Sequence, residues 1–268
     1  MRDPSEGLPG QELRTARMPG HWLLARLGKR VLRPGGRGLT RRLLDGLSIA
    51  RDDRVVEFAP GLGHTAKALL KRKPRQYIGV ERDADAVRWA RARLPVSQSV
   101  DVIEATADAT GLPDASADVA LGEAILSLAP PAQKRAMVQE AYRVLRPGGR
   151  YGIHELLLVP DDLAETERRR IAADLSQAIH VGARPLTRTE WTGLLGEGGF
   201  RIAAVHHAPM RLLEARRMLA DEGLLGSLRF CRNLLRDREA LRRVLEMRRV
   251  FRLHRRNLSA VAIVGIKD

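Results

Sequence analysis

The segment VVEFAPGLGHTA, residues 55–66, decides the fold, because it joins a β-branched strand, a turn with two glycines and the start of a helix. Gly61 and Gly63 lack a Cβ, so this turn can bring its backbone very close to a ligand. The spacing Gly61-x-Gly63-x-x-Ala66 fits the dinucleotide fingerprint G-x-G-x-x-G/A. Glu57 is foreign to that fingerprint, since a carboxylate just below the turn would repel a pyrophosphate. It suits a ligand that carries an ammonium or sulfonium group.

Strand and helix patterns alternate along the chain around this turn. Strand patterns occupy residues 54–58, 76–81, 100–106, 118–123, 150–158, 200–208 and 258–266. Helical patterns occupy residues 21–32, 39–49, 64–73, 83–94 and 132–145. Asp83 is a predicted N-cap, because its carboxylate can accept the free N–H groups of the first helical turn. This alternation predicts βαβ units on a parallel sheet, and therefore an α/β fold.

Two insertions interrupt the alternation, at residues 160–187 and 209–257. We expect residues 1–37 to form an N-terminal tail and cap helix, and residues 38–268 to form the main domain with both insertions. The second insertion is strongly basic and helical. One helix face there is predicted to be apolar, formed by Leu241, Val244, Leu245 and Val250. Arginines are expected around the other face.

The chain carries a net charge of +15 at pH 7. This charge favours encounters with nucleic acid, anionic lipid or anionic small substrates. The alternative is that the arginines lie on solvated helix faces, because acidic residues are interleaved with them almost everywhere. Aromatic residues make up 4% of the chain, which is poor for stacking single-stranded bases.

Cysteine usage and apolar runs bear on the location of the protein. Cys231 is the single cysteine, so an internal disulfide is impossible and a reducing cytoplasm is the expected location. The first twenty residues have no apolar run, so we expect no signal peptide there. No run approaches the roughly 18 apolar residues of a membrane span, so no transmembrane segment is predicted. Contact with a membrane surface stays open.

Polar residues cluster where the predicted strands end. In an open parallel sheet, ligands bind outside the carboxyl ends of the strands. The residues at those ends are Glu57, Gly61, Gly63, Glu81, Asp108, Glu123, His154 and Glu155. Five of them are acidic in a chain that is otherwise cationic, so this edge is the predicted site.

These residues suit an adenosyl ligand. The Glu81 carboxylate can accept both ribose hydroxyls, and Asp108 can accept the adenine amino group while the Ala109 N–H donates to a ring nitrogen. Simpler structural roles stay open for three of the acids. Glu57 is alternatively a loop-capping carboxylate, Asp108 a turn residue, and Glu123 a solvated charge or helix cap.

Five segments carry a family resemblance: VVEFAPGLG, IGVERD, ATADATGLP, ADVALGEAIL and EAYRVLRPGGRYGIHEL. Together they resemble a class I S-adenosylmethionine-dependent methyltransferase, closest in style to the small-molecule enzymes related to ubiquinone and menaquinone biosynthesis. The resemblance covers about residues 38–207 and the last strand. It implies a Rossmann-like, doubly wound, seven-stranded sheet whose last strand is antiparallel. It also implies that the N-terminal helix and the insertions form a cap over the acceptor.

The resemblance implies S-adenosylmethionine as cofactor. By this match, Glu57 and the Gly61–Gly63 loop hold the methionine portion, Glu81 the ribose, and Asp108 with Ala109 the adenine. The matching segments add three further residues to the predicted cofactor set, namely Ala59, Arg82 and Glu123. Ala59 departs from the family pattern, which usually has Gly there, so its Cβ either crowds the loop or is accommodated.

The implied reaction is an in-line displacement at the sulfonium methyl group, for which the protein mainly supplies orientation. A general base is needed only if the acceptor is protonated, and His154 is the candidate by location. The alternative is a histidine that lies behind the site and is held by its neighbours. Strand alternation places His154 and Glu155 on opposite faces. His180, in the first insertion, is a weaker candidate base.

The leading hypothesis is methyl transfer to a small-molecule acceptor. The arginines of residues 211–256 favour an anionic acceptor or an anionic surface, such as a membrane holding a quinone-like lipid. An RNA methyltransferase that uses the basic surface is the second hypothesis, although the chain shows no appended RNA-binding module. The third and fourth hypotheses are a nicotinamide oxidoreductase and a non-catalytic S-adenosylmethionine binder. No metal site is predicted.

Overall fold

The computed structural model describes residues 8–10 and 12–268, so residues 1–7 and 11 of the predicted N-terminal tail lie outside the described residues. Within those residues the chain forms one mixed sheet. Its strands are β1 Arg54–Phe58, β2 Gln76–Glu81, β3 Val100–Glu104, β4 Ala117–Glu123, β5 Leu145–Leu158, β6 Leu186–Thr187, β7 Phe200–Pro209 and β8 Leu258–Lys267.

The strand order is β3-β2-β1-β4-β5-β8-β7, and β6 pairs with β5 off this path. Strands β1 to β5 pair in parallel, whereas β8 runs antiparallel to both β5 and β7. The predicted seven-stranded sheet with an antiparallel last strand is therefore confirmed. The two-residue β6 is an addition that the sequence pattern did not predict.

Helices cover both faces of this sheet. They are α1 Gly20–Arg26, α2 Gly36–Leu47, α3 His64–Leu70, α4 Ala84–Arg91, α5 Pro131–Val144, α6 Glu165–Ile179, α7 Arg188–Glu197, α8 Ala215–Arg236 and α9 Arg238–Leu253. Helix α4 begins after Asp83, whose carboxylate accepts the N–H groups of Asp85 and Ala86, so the predicted N-cap is confirmed.

Each face of the sheet has its own apolar core. Val56 and Phe58 of β1 pack into one cluster, while Val55 packs into the other, as strand alternation requires. Helix α2 lies on the second face, across β5 and β8. Gly152 of β5 lets this helix approach, because a Cβ built there would lie 2.9 Å from side-chain atoms of Leu43 and Leu47. The fold is doubly wound, as the resemblance implies.

A third apolar cluster lies outside these two layers. It joins α1, α6, α8 and α9 through buried side chains that include Leu23, Leu175, Phe230, Val244 and Met247. The N-terminal helix and both insertions therefore share one core. This assembly, called the cap below, contains the elements that the resemblance assigns to a cap.

The prediction for the apolar face of α9 was partly wrong. Val244 is buried, but Leu245 is 51% exposed, and Met247 and Phe251 are buried in its place. The face is rotated because Arg243 is also buried and donates to two backbone carbonyl oxygens, those of Thr15 and Met18, at 2.6 Å each. These partners lie more than 220 residues away along the chain, so helical spacing alone does not reveal them.

Candidate active site

The turn after β1 has three residues with left-handed backbone. Gly61 and Gly63 have φ of 51° and 71°, and Gly63 precedes the first residue of α3. Ala59 has φ of 50°, and its N–H donates to the Val80 carbonyl oxygen at 2.8 Å. A left-handed backbone disfavours any residue with a Cβ, which explains why glycine suits this position. The turn therefore accommodates Ala59 at a local conformational cost.

Glu57 lies buried below this turn. The Tyr77 hydroxyl donates to its carboxylate at 2.7 Å, and both side chains are almost completely shielded from solvent. Burial raises the pKa of Glu57 to about 8, and the Tyr77 hydrogen bond only partly opposes that rise. Tyr77 was not part of the predicted site. It lies in β2, next to β1, where its sequence position suggests an ordinary core residue.

Glu81 joins the end of β2 to the glycine turn. One carboxylate oxygen accepts the backbone N–H groups of Arg82 and Asp83 at 2.9 and 3.2 Å, and the other lies 3.4 Å from the Gly61 nitrogen. Burial raises the pKa of this carboxyl group. Arg82 contributes a backbone N–H in this arrangement. The carboxylate thus lies directly beside the turn, as the ribose prediction requires.

Asp108 and Ala109 follow β3. Asp108 is half-buried and accepts from Gln133 Nε2 at 3.2 Å. A hydrogen bond from the Thr106 side chain is the main cause of its lowered pKa, so Asp108 is an ionised acceptor at neutral pH. The Ala109 N–H donates to the Thr106 carbonyl oxygen at 3.1 Å. The predicted adenine contact of Ala109 therefore requires that turn to give up a hydrogen bond.

Glu123, at the end of β4, is the centre of a buried polar network. Its carboxylate accepts from Thr40 at 2.6 Å, from Thr65, and from His154 Nδ1 at 2.7 Å. The Arg33 Nε lies 3.2 Å away. Burial alone would raise the pKa of Glu123, but Arg33 and these hydrogen bonds outweigh it and hold the pKa at about 2. Every partner comes from a different part of the chain.

The His154 ring is completely buried. Its Nδ1 lies 2.7 Å from the Glu123 carboxylate, and its Nε2 faces the Pro34 carbonyl oxygen. Both ring nitrogens are therefore already engaged with protein atoms. This geometry supports the alternative in which His154 is held by its neighbours behind the site.

Glu155 points to the opposite face of β5, as strand alternation predicts. Its carboxylate accepts the backbone N–H groups of Ile125, Leu126 and Ser127 at 3.1, 2.9 and 2.8 Å. It is completely buried and fixes the path of the chain after β4. His180 caps α6 beside Arg243, and burial lowers its pKa.

The segment of residues 28–37, which runs from the end of α1 into the first residues of α2, covers this edge of the sheet. Helix α8 holds it in place through Glu222, whose carboxylate accepts the backbone N–H groups of Arg30 and Val31 at 3.0 and 2.9 Å. The same oxygen pairs with the buried Lys29 at 3.4 Å. Asp221 accepts the Arg37 N–H at 3.1 Å. From sequence, RPGGRG in this segment predicted only a helix break.

Two broader features of the described residues are relevant. Across residues 8–10 and 12–268, no helix is both long and apolar enough to cross a membrane. Within the same ranges, no group of three or more His, Cys, Asp or Glu side chains is arranged to hold a metal ion.

Comparison with known proteins agrees with this geometry. Residues 55–149 match a family described as a methyltransferase domain. A Haemophilus influenzae protein described as uncharacterized is 34% identical, over 85% of this chain and 90% of that protein. The S-adenosyl-L-methionine-dependent Diels-Alderase iccD of Talaromyces variabilis is 30% identical, over 68% of this chain and 63% of that protein. The 27-O-demethylrifamycin SV methyltransferase of Amycolatopsis mediterranei is 33% identical, over 49% of this chain and 50% of that enzyme.

A solved structure supports the fold. Phosphoethanolamine N-methyltransferase 2 of Haemonchus contortus, in complex with phosphomonomethylethanolamine and S-adenosylhomocysteine, aligns with a TM-score of 0.70 over 98% of this chain and 60% of that one. Its identity is 14%, so this likeness concerns the fold alone. The chain belongs to the class I S-adenosylmethionine-dependent methyltransferases. S-adenosylmethionine is its cofactor.

The residues at the sheet edge fit this cofactor. The side of the turn at Gly61 is open, since a Cβ built there would have its nearest neighbour, the Ala59 carbonyl oxygen, 3.9 Å away. Two buried carboxylates flank the turn, Glu57 below it and Glu81 beside it. Carboxylates suit the ammonium, sulfonium and ribose hydroxyl groups of S-adenosylmethionine.

Proposed function

We propose that this protein transfers the methyl group of S-adenosylmethionine to a small-molecule acceptor by in-line displacement. The observation that carries the proposal is the open Gly61 turn between the buried carboxylates of Glu57 and Glu81. Its relative from Amycolatopsis mediterranei is named for methylating a rifamycin, which is a small molecule.

Each predicted cofactor residue has a proposed role. Glu57 faces the methionine portion, and a cation bound there would favour the ionised form of a carboxyl group that burial keeps protonated. Glu81 accepts the ribose hydroxyls, while the Arg82 N–H fixes that carboxylate. Asp108 and Ala109 face the adenine. Ala59 shapes the turn, and Glu123 lies behind it, where it supports Thr65 of α3.

We propose that His154 is a positioning residue that acts through Glu123. The leaving group is a neutral sulfide, so orientation of donor and acceptor supplies most of the rate enhancement. His154 links Glu123 of β4 to the Pro34 carbonyl oxygen of the covering segment. Its loss would loosen that segment over the reacting groups.

The His154→Gln variant distinguishes this role from that of a general base. A positioning role predicts a lower rate with an unchanged shape of the pH–rate profile, together with faster proteolysis within residues 28–37. Loss of the acidic limb of the profile at normal protease resistance would instead establish His154 as the base.

We propose that the acceptor is anionic or lipid-like. Residues 209–257 contain fourteen arginines against six acidic residues, so the insertion is a concentrated source of positive charge. An acceptor with a negative group would be drawn to it at low ionic strength. RNA is the less favoured partner, because aromatic residues for stacking are scarce.

We further propose that the protein resides in the cytoplasm and associates with the surface of anionic membranes through the second half of α8. Four leucines of that helix are largely exposed: Leu224, Leu225, Leu228 and Leu235. Arg229, Arg232 and Arg236 alternate with them along the helix. Two copies of so basic a helix would repel each other, whereas anionic lipids would attract it. Sedimentation with phosphatidylserine vesicles should fall at least fivefold in Leu225→Gln/Leu228→Gln, while unchanged sedimentation would exclude this surface.

The methyl-transfer proposal is tested with S-adenosylmethionine that carries a radiolabelled methyl group. Purified protein is incubated with cell extract, and RNA, protein and solvent-extractable molecules are separated. Label in the extractable fraction supports the proposal and provides material for identifying the acceptor. Label in nuclease-sensitive material would overturn it. Conversion of a small molecule without consumption of S-adenosylmethionine would place the protein with its Diels-Alderase relative instead.

A further inference from the structure

A groove of about 690 Å³ lies between the loop after β7, the start of α8 and the end of α9. Six arginines line it, at positions 211, 216, 217, 248, 252 and 255, together with the single acidic residue Glu214. Because β7 runs parallel to β5, the groove lies at the same carboxyl edge of the sheet as the glycine turn.

The positive charge of this groove is largely uncompensated. Arg252 pairs with Glu214 through two contacts, of 2.8 and 3.3 Å. Arg248 and Arg211 also help to lower the pKa of Glu214, after the hydrogen bond from Arg252, so these arginines converge on one carboxylate. Across residues 8–10 and 12–268, the other five arginines of the groove form no ion pair with an acidic side chain. Such a cluster of like charges favours the binding of an anion.

One of these arginines is incompletely satisfied. The Nε of Arg248 is shielded from solvent and has no hydrogen-bond acceptor among the described residues. A buried N–H without a partner is costly, and it is costlier still on a charged group. Arg248 is also one of the six arginines that line the groove.

The floor of the groove is apolar. Met210, Leu212, Leu213 and Phe251 line it, and each remains 8% exposed. The volume lies within the range of about 300–1,000 Å³ that is usual for small-molecule sites. A cationic rim over an apolar floor suits an amphiphile with an anionic head. A nucleic acid backbone would leave this floor uncovered.

We propose that this groove binds the phosphate group of a phosphate monoester that carries an alkyl or isoprenoid chain. Arginine forks match phosphate oxygens in pairs, so a tetrahedral phosphate can engage several of the converging guanidinium groups at once. The chain then lies against the apolar floor. This binding site goes beyond the proposed methyl transfer and does not depend on which molecule is methylated.

The groove adjoins the cap over the cofactor edge. Arg217 lines the groove, and its Nη1 lies only 3.0 Å from a Cβ built on Gly36, the first residue of α2. The same Cβ would lie 2.7 Å from the carboxylate of Asp221. An amphiphile held in the groove is therefore adjacent to the segment that covers the glycine turn.

Calorimetric titration of the full chain with octyl phosphate tests the proposal. The variant Arg248→Gln/Arg255→Gln removes two groove cations, and Arg249→Gln/Arg256→Gln is its matched control. Both change the charge by the same amount at adjacent positions, and Arg249 and Arg256 are exposed outside the groove. We expect octyl phosphate to bind at least tenfold more weakly to the groove variant and within twofold of wild type for the control. Equal weakening in both variants, or no binding by wild type, would overturn the proposal.

Two further binding measurements define the ligand. Ethyl phosphate should bind at least 30-fold more weakly than octyl phosphate, because its chain is too short to cover the apolar floor. Equal affinity would exclude the floor as part of the site. Sedimentation with phosphatidic acid vesicles that is lost only in Arg248→Gln/Arg255→Gln would identify a lipid headgroup as the source of the phosphate. Sedimentation that is the same for both variants, with octyl phosphate binding retained by wild type, would identify a free phosphate ester.

Discussion

The cofactor edge and its cap lie against each other, yet they depend on different kinds of information. At the edge, Glu57, Gly61 and Glu81 lie within 25 residues of one another, and the roles proposed for them rest on short motifs and on the family resemblance. In the cap, Lys29 pairs with Glu222 across 193 residues of chain. In this methyltransferase, short motifs therefore predict the cofactor edge. The cap is held in place by long-range polar contacts that no motif predicts.

The strongest test of this comparison is Glu123→Ala, because Glu123 joins the two regions. The change leaves the largely buried Arg33 and the completely buried His154 without their carboxylate. Breaking such a buried network should lower the free energy of unfolding by about 3–5 kcal/mol. Urea denaturation measures the loss.

Glu104→Ala is the matched control, since Glu104 also ends a strand but is exposed. It should change the free energy of unfolding by less than about 0.5 kcal/mol. A loss below about 1 kcal/mol in Glu123→Ala would show that the cap does not depend on this network.

Sequence and structure agree most where a residue's partner is nearby in the chain. The glycine turn and the Asp83 cap both follow from spacings of a few residues. Helix α7 was missed although its capping box, Thr187 with Glu190, is a recognisable local signal. Arg33 carried no such signal, because its carboxylate partner is brought to it only by folding. The same holds for the buried face of α9, where Arg243 bonds to the N-terminal backbone.

The pH dependence of stability, compared between wild type and Glu57→Gln, isolates the titration of Glu57. Its pKa of about 8 lies above the ordinary value of 4.5, so its stabilising contribution is complete below pH 4.5 and is lost as the pH rises through 8. Burial lowers the pKa values of His21 and His64 from 6.5 to about 4, so these groups change the free energy of unfolding with pH only below pH 6.5. Burial lowers the pKa of Lys134 from 10.5 to about 8, so Lys134 changes the free energy of unfolding with pH only above about pH 8.

Between pH 6.5 and 8, wild type should therefore lose about 1.5–2 kcal/mol of unfolding free energy relative to Glu57→Gln. Glutamine keeps an oxygen that can accept from Tyr77 and does not ionise. Urea denaturation at several pH values gives the two curves. Parallel curves across this window would mean that Glu57 is already ionised when buried.

The Glu81→Gln variant tests whether the edge binds the cofactor without contributing much to the stability of the cap. S-adenosylmethionine should bind about tenfold or more weakly, which corresponds to about 1.4 kcal/mol, because a ribose hydroxyl loses a charged acceptor. Glu104→Gln is the control, since Glu104 pairs in register with Glu81 but lies one strand further out. Equilibrium binding of S-adenosylmethionine measures the effect. Equal affinity in wild type and Glu81→Gln would show that Glu81 does not bind the ribose.

The smallest expected effect concerns the turn itself. Ala59→Gly removes a Cβ from a residue with φ of 50°, so relief of strain competes with the greater freedom that glycine has in the unfolded chain. The net gain in unfolding free energy should stay below about 1 kcal/mol. Ala115→Gly is a matched control, since Ala115 has the same φ of 50° in an exposed loop. A similar stability change in both variants, with tighter S-adenosylmethionine binding only in Ala59→Gly, would show that the alanine restrains the cofactor loop. Equal cofactor affinity in both would show that the turn accommodates this Cβ without cost to binding, so that the departure from glycine is neutral for the cofactor edge.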